Sequence, residues 1–210
     1  VFFLMEETLV FIDEGFLKKL IECLGDGKRL KFEFAKRLAK KQNLFCKHLF
    51  YYTCPPFQSD KPTEDEADRK KGHDKFVNAL LKNKNITVRE GRCQRLKNVA
   101  GEFEYYQKEV DNLLTIDMSH IKDDFPDIKK IILVSSDTDF CPSIKDVKKR
   151  DKIEVILYTY FDRERKSKFS LSNELIDCCS RYFKLTKEDF TSCPLIKSKN
   201  PENQQNKEVN

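Results

Sequence analysis

Ile131-Ile132-Leu133-Val134-Ser135-Ser136-Asp137-Thr138-Asp139-Phe140 is the stretch on which the fold turns. Its apolar, mostly β-branched start shows no polar alternation and reads as a strand buried on both faces, the pattern of a parallel sheet covered on each side. The run discharges into Asp137 and Asp139, which bracket Thr138. A second unit of the same kind stands near the start, Thr8-Leu9-Val10-Phe11-Ile12-Asp13, again apolar and again ending on a carboxylate. In open parallel α/β sheets, ligands sit beyond the carboxyl ends of the strands. Two buried strands that both end in Asp therefore predict acids gathered at one sheet edge, a set of hard oxygen donors suited to Mg²⁺ or Mn²⁺.

Between and beyond these units the chain alternates strands with helices. The first strand leads through Glu14-Gly15 into an apolar-periodic helix (Phe16, Leu17, Leu20, Ile21, Leu24) that ends at Gly25-Asp26-Gly27. A second helix spans about Lys31 to Lys41, and Leu44 to Thr53 reads as strand two, broken by Cys54-Pro55-Pro56. Thr63-Glu64-Asp65-Glu66 opens a helix running to about Lys82, with acids in the first turn where the dipole favours them and with Phe76, Leu80 and Leu81 inward. Ile86 to Arg92 reads as strand three, Gln94 to Phe103 as a loop, and Tyr106 to His120 as a helix. After the Ile131 strand come a helix over Asp139 to Lys149, with Pro142 tolerated in its first turn, a strand over Lys152 to Tyr160 and a last helix over Ser172 to Cys179. This order predicts one α/β domain over residues 1–195, with a mostly parallel central sheet and helices on both faces. The Asn-, Gln- and charge-rich residues 196–210 predict a disordered tail.

Composition narrows the classes. Of the 210 residues 39% are hydrophobic, enough for one core, and the formal net charge of +5 permits an anionic partner without demanding one. The eight cysteines include no Cys-x-x-Cys, and His48, His73 and His120 do not fall at zinc-finger intervals, so reduced thiols packed as small hydrophobes are expected. No apolar run approaches a membrane span, and Val1-Phe2-Phe3-Leu4-Met5 is too short for a signal core; these features point to a cytoplasmic chain with no membrane partner. Neither Gly-x-Gly-x-x-Gly after strand one nor a Walker A loop is present, which argues against dinucleotide enzymes and P-loop NTPases.

Asp111 joins the acidic set: early in a helix docked on the sheet, it can project toward the same edge. Asp117, six residues on, lies about 240° further round that helix and is expected to support the site rather than enter it. Clustered carboxylates repel one another and either hold protons or bind a cation; a bound divalent cation lowers the pKa of a coordinated water and steadies charge on a phosphate. Each Asp taken singly also has a plainer reading as the cap of a helix or turn.

These residues resemble the NYN domain, a branch of the PIN-like nuclease superfamily. The resemblance rests on Phe11-Ile12-Asp13-Glu14-Gly15-Phe16-Leu17, on Lys108 to Asp111 followed by Asp117, and on Ser135-Ser136-Asp137-Thr138-Asp139-Phe140-Cys141-Pro142. Tyr51 to Pro56, Gly91-Arg92 and Ser170 to Leu175 are also similar to that branch, and the likeness runs from about Thr8 to Leu185. It implies a Rossmann-like three-layer fold and a divalent-metal-dependent ribonuclease whose metal-site acids are Asp13, Asp111, Asp137 and Asp139, with Ser135, Thr138 and Asp117 in support. Two positions depart from the pattern: Glu109 and Ser136 stand where Gly is usual.

RNA, single-stranded or in loops, is the expected partner, with Arg92, Lys108, Arg163 and Arg165 toward its phosphates and Tyr105 and Tyr106 as stacking surfaces; a homodimer stays open. Two rival readings stay open beside the nuclease. One is a catalytically silent RNA-binding or scaffolding module of the same fold. The other is an aspartyl phosphatase, which Asp13-Glu14-Gly15-Phe16 does not match because the Asp-x-Asp-x-Thr signature is missing.

Overall fold

The computed structural model describes residues 5–24, 32–162, 169, 172–191 and 193. Six strands form one parallel sheet: β1 (Glu6–Asp13), β2 (Leu44–Thr53), β3 (Ile86–Glu90), β6 (Lys130–Val134), β7 (Glu154–Thr159) and β8 (Arg181–Lys184), in the order β3-β2-β1-β6-β7-β8. Residues Ile131 to Val134 have no exposed surface, as an unbroken apolar run demands, and they alternate between two cores. Ile132 and Val134, with Val10 and Ile12, pack under α1 (Glu14–Leu24), α2 (Phe32–Lys41) and the end of α3 (Glu64–Leu81). Ile131 and Leu133, with Leu9 and Phe11, pack under α4 (Val110–Ser119), the short α5 (Ile121–Asp124), α6 (Cys141–Arg150) and α7 (Asn173–Cys178). The result is the expected Rossmann-like α/β sandwich of three layers.

From β1 the chain moves outward to β2 and β3, then returns to the other side of β1 at β6 and moves outward again. Order reverses between β1 and β6, and a parallel sheet opens its crevice at that point, beyond the carboxyl ends of the two strands. Ile12 pairs with Val134, so Asp13 and Ser135 follow side by side at that edge.

Several expectations need correction. Strand three stops at Glu90, and the stretch read as its end plus a loop is an antiparallel ribbon, β4 (Arg92–Lys97) with β5 (Phe103–Lys108), outside the main sheet. The helix expected from Tyr106 starts at Val110, because Tyr106 to Lys108 pair with β4. On α3 the buried positions are Glu66, His73, Val77 and Leu80, while Leu81, though four residues after Val77 and so at the flank of the stripe, is exposed at the helix end. Its start is as expected: Glu66 N donates to Thr63 Oγ1 at 3.2 Å and Thr63 N donates to Glu66 Oε2 at 3.1 Å, a closed capping box. The helix over Ser172 to Cys179 is not the last, since β8 and α8 (Lys187–Thr191) follow it. All eight cysteines are free thiols, and Cys46, Cys141, Cys178 and Cys179 are buried as small hydrophobes. No helix among the described residues is long and apolar enough to cross a membrane. The expected end of the first helix at Gly25 to Gly27, the basic residues Arg163 and Arg165 and the tail 196–210 lie outside the described residues.

Candidate active site

Asp13 is the last residue of β1 and is buried, 8% exposed, where the strand turns directly into α1. Phe16 N donates to its Oδ1 at 3.2 Å, so it does cap α1, and Ser135 Oγ donates to its Oδ2 at 3.0 Å. Ser135, wholly buried, also accepts from Asp137 N at 3.2 Å. One hydroxyl thus ties the end of β1 to the end of β6 and fixes how two acids face each other. Asp137 in turn caps the 3-10 turn Thr138–Phe140, accepting from Asp139 N at 2.9 Å.

A cleft of about 520 Å³ opens at this edge, lined by Asp13, Asp111 and Asp137 together with Ser136 and Thr138. Asp111 reaches it from the first turn of α4. Asp139 is exposed and does not line the cleft, but it stands near enough to act on Asp111. The fields match that layout. Burial pushes the Asp13 carboxyl up to about 6, against the bonds from Phe16 and Ser135, and the charge of Asp111 adds to the rise. Burial, then the charges of Asp137 and Asp139, raise Asp111 as well. Four carboxylates therefore share one repulsive neighbourhood, with Lys19 the cation in the described lining.

Their hard oxygen donors and mutual repulsion suit Mg²⁺ or Mn²⁺. Among the described residues, however, no three acidic, histidine or cysteine side chains already stand at ligand spacing. The set fits a divalent cation by its chemistry and would have to draw in around one.

Asp117 stays out of the cleft. Arg89 holds it through both carboxylate oxygens, at 3.0 and 2.9 Å, and Tyr52 donates its hydroxyl at 2.9 Å. It therefore anchors α4 to the ends of β2 and β3. Arg92 is exposed and bound to Glu109 Oε1 at 2.7 Å, and Lys108 is exposed on β5. Sequence reasoning missed Gln107, Lys19, Phe169 and Ser172 in the lining. Ser172, cap of α7, lay within a quoted motif, whereas Gln107 was hidden by the unrecognised ribbon. Gly15 also acquires a reason: a Cβ there would lie 2.8 Å from Gln107 Oε1 and 3.1 Å from Asp13 Oδ1. A bare backbone lets both side chains crowd the cleft. Next to Asp13, the Glu14 side chain is buried and accepts a hydrogen bond from Thr53.

Comparison with known proteins adds three findings. The family model of the NYN domain matches residues 32–186, well over half of the chain, beginning after β1 and therefore after Asp13. No curated protein matches the chain. A solved structure of a protein of unknown function from Vibrio parahaemolyticus is similar in fold, with a TM-score of 0.53 and 18% identity over 89% of this chain and 96% of that one.

Proposed function

The chain belongs to the NYN-domain family of the PIN-like nuclease superfamily, and from that premise we propose that it is an endoribonuclease hydrolysing RNA phosphodiesters in the acidic cleft. The observation that carries this reading is the convergence of Asp13, Asp111 and Asp137 on one cleft at the sheet's switch point, with Asp139 beside them. Asp13, Asp111, Asp137 and Asp139 would hold Mg²⁺ or Mn²⁺. When bound, the ion neutralises these charges, acidifies a coordinated water and offsets the growing charge on a phosphate.

The remaining work falls to the protein. Ser135 keeps the Asp13 carboxylate turned toward the cleft while fixing the backbone of Asp137. Lys19 presents a positive charge to a phosphate at the cleft wall. Thr138 and Ser136 shape the approach, and the bulk of Ser136 narrows it relative to Gly. Arg92 and Lys108 pair with each other at the base of the ribbon, on the face away from Gln107, and do not line the cleft; they keep their assignment as backbone contacts from sequence, as do Arg163 and Arg165.

End-labelled single-stranded RNA incubated with Mn²⁺ or Mg²⁺ tests the reading. Wild type should cut, chelator should abolish cutting, and Asp137→Asn should lower it by about a hundredfold or more. Equal cutting by the variant would place the chemistry elsewhere. Two observations favour the silent RNA-binding module instead: Asp13 and Asp137 are each already used as caps, and no described trio stands at ligand spacing. RNA binding without cutting by wild type, with either ion, would select it.

A further inference from the structure

The acids account for the ends of β1 and β6 but not for the β4–β5 ribbon, which among the described residues pairs with no other strand. A lone two-stranded ribbon is marginal in water and needs something to hold it. Strand alternation puts Cys93, Arg95 and Lys97 on one face, opposite Gln107, Tyr105 and Phe103. The Arg95 guanidinium carbon lies 4.4 Å from the ring centres of both Phe57 and Phe103. The Lys97 ammonium lies 5.4 Å from Phe103, and the rings of Phe57 and Tyr105 are 5.7 Å apart. The loop bearing Phe57 is itself pinned to α3: Gln58 Nε2 donates to the Glu66 carbonyl at 2.7 Å, and Ser59 Oγ donates to its carboxylate at 2.6 Å. Phe103 and Tyr105 are nevertheless 50% and 54% exposed. Rings fixed in place, flanked by cations and open to water are what stacking of unpaired bases requires.

The same face is continuous with the acidic cleft. Gln107, at its foot, lies in the wall of that cleft and also of a second one of about 360 Å³, which holds Lys18 and Arg69. From Gln107 to Phe103 the strand rises about 13 Å, room for roughly four stacked bases at ~3.4 Å each. Tyr106, expected to stack beside Tyr105, points to the opposite face and donates its hydroxyl to Glu104.

We propose that the face carrying Arg95, Lys97, Phe103 and Tyr105 is a stacking platform for single-stranded RNA that leads the strand, past Lys18 and Arg69, into the acidic cleft. The proposal deepens the ribonuclease reading and rests on it for the substrate class. A duplex, whose bases already stack on each other, gains nothing from the rings.

Fluorescence anisotropy of a short labelled single-stranded RNA tests it in an Asp137→Asn background, where binding is read without cutting. Phe103→Ala and Tyr105→Ala should each weaken binding about tenfold. Tyr106→Ala, on the far face, should leave it unchanged, and the blunt duplex of the same sequence should respond to none of the three. Phe103→Leu keeps the apolar bulk but loses the ring, and should weaken binding even if the alanine variants melt early. Unchanged binding in the platform variants, an equal loss in Tyr106→Ala, or no binding by the parent would each overturn the platform. A wild type that cuts no RNA, while Phe103→Ala and Phe103→Leu lose binding, would instead sink the nuclease reading and keep the platform.

Discussion

Glu109 shows what a single backbone angle adds to a sequence. By resemblance it stands where Gly is usual, and in the structure its φ is 74° and ψ −16°, in the left-handed region just before α4. A residue with a Cβ pays about 1–2 kcal/mol there. Its one clear compensation is the 2.7 Å ion pair with Arg92, in which both side chains are more than half exposed, and such pairs contribute little. Replacing Glu109 by Gly should therefore stabilise the protein by roughly 0.5–1 kcal/mol after the extra chain entropy of Gly. Urea unfolding would show a higher midpoint at unchanged slope; a lower midpoint would mean that the Arg92 pair outweighs the strain. Ser136, the other departure, has no positive φ, so its effect is confined to the bulk it adds to the cleft wall. The residue types and their positions were legible in the sequence; the strain, and its restriction to one of the two sites, was not.

Among the elements, legibility followed burial. The strands β1, β6 and β7 announce themselves because both faces of their middles are covered, and there Leu9 to Ile12, Ile131 to Val134 and Val155 to Tyr158 run without a charged residue. The ribbon does not, because Arg92-Cys93-Gln94-Arg95-Leu96-Lys97 is mixed on both faces and its stabilising contacts come from distant Phe57. β8, an edge strand with three of its four residues exposed, was silent for the same reason. The break between β3 and the ribbon falls at Gly91, and the structure explains it. A Cβ there would lie 2.3 Å from the Lys108 carbonyl oxygen and 2.7 Å from Val110 Cγ2. The first is backbone, so Gly91→Ala must push β5 and the start of α4 away from β3. That substitution should cost about 1–3 kcal/mol and lower the thermal midpoint by roughly 2–4 °C per kcal/mol. An unchanged midpoint would show that the ribbon parts from β3 at no cost. Because Gln107 and Asp111 flank this contact, RNA cutting by the variant should fall as well.

At the scale of the molecule, the fold itself sets the charge on the site. Reversal of strand order between β1 and β6 puts Asp13 at the bottom of the crevice, where burial raises its pKa from the usual 3.8 to about 6. Asp13 therefore holds its proton more tightly in the folded chain than in the unfolded one. Below about pH 4 both states carry the proton and the folded state keeps its full stability. As pH rises toward and past 6, the unfolded chain releases its proton first, and folding loses about 1.4 kcal/mol per pKa unit of difference, or up to about 3 kcal/mol. Asp13→Asn has no proton to lose and can still accept from Phe16 N and donate to Ser135 Oγ. Without metal, the variant and wild type should melt together near pH 4, and the variant should be the more stable by about 2–3 kcal/mol at pH 7. A cation that gathers the four carboxylates reverses the balance, since it binds the deprotonated form. Mn²⁺ should thus raise the wild-type midpoint more at pH 7 than at pH 5 and leave Asp13→Asn nearly unmoved. Parallel melting curves for the two proteins across this range would mean that Asp13 titrates as a solvated acid. The case for a metal at this edge would then rest on the Mn²⁺ shift alone, and a wild-type midpoint that Mn²⁺ leaves unmoved at pH 7 would remove it.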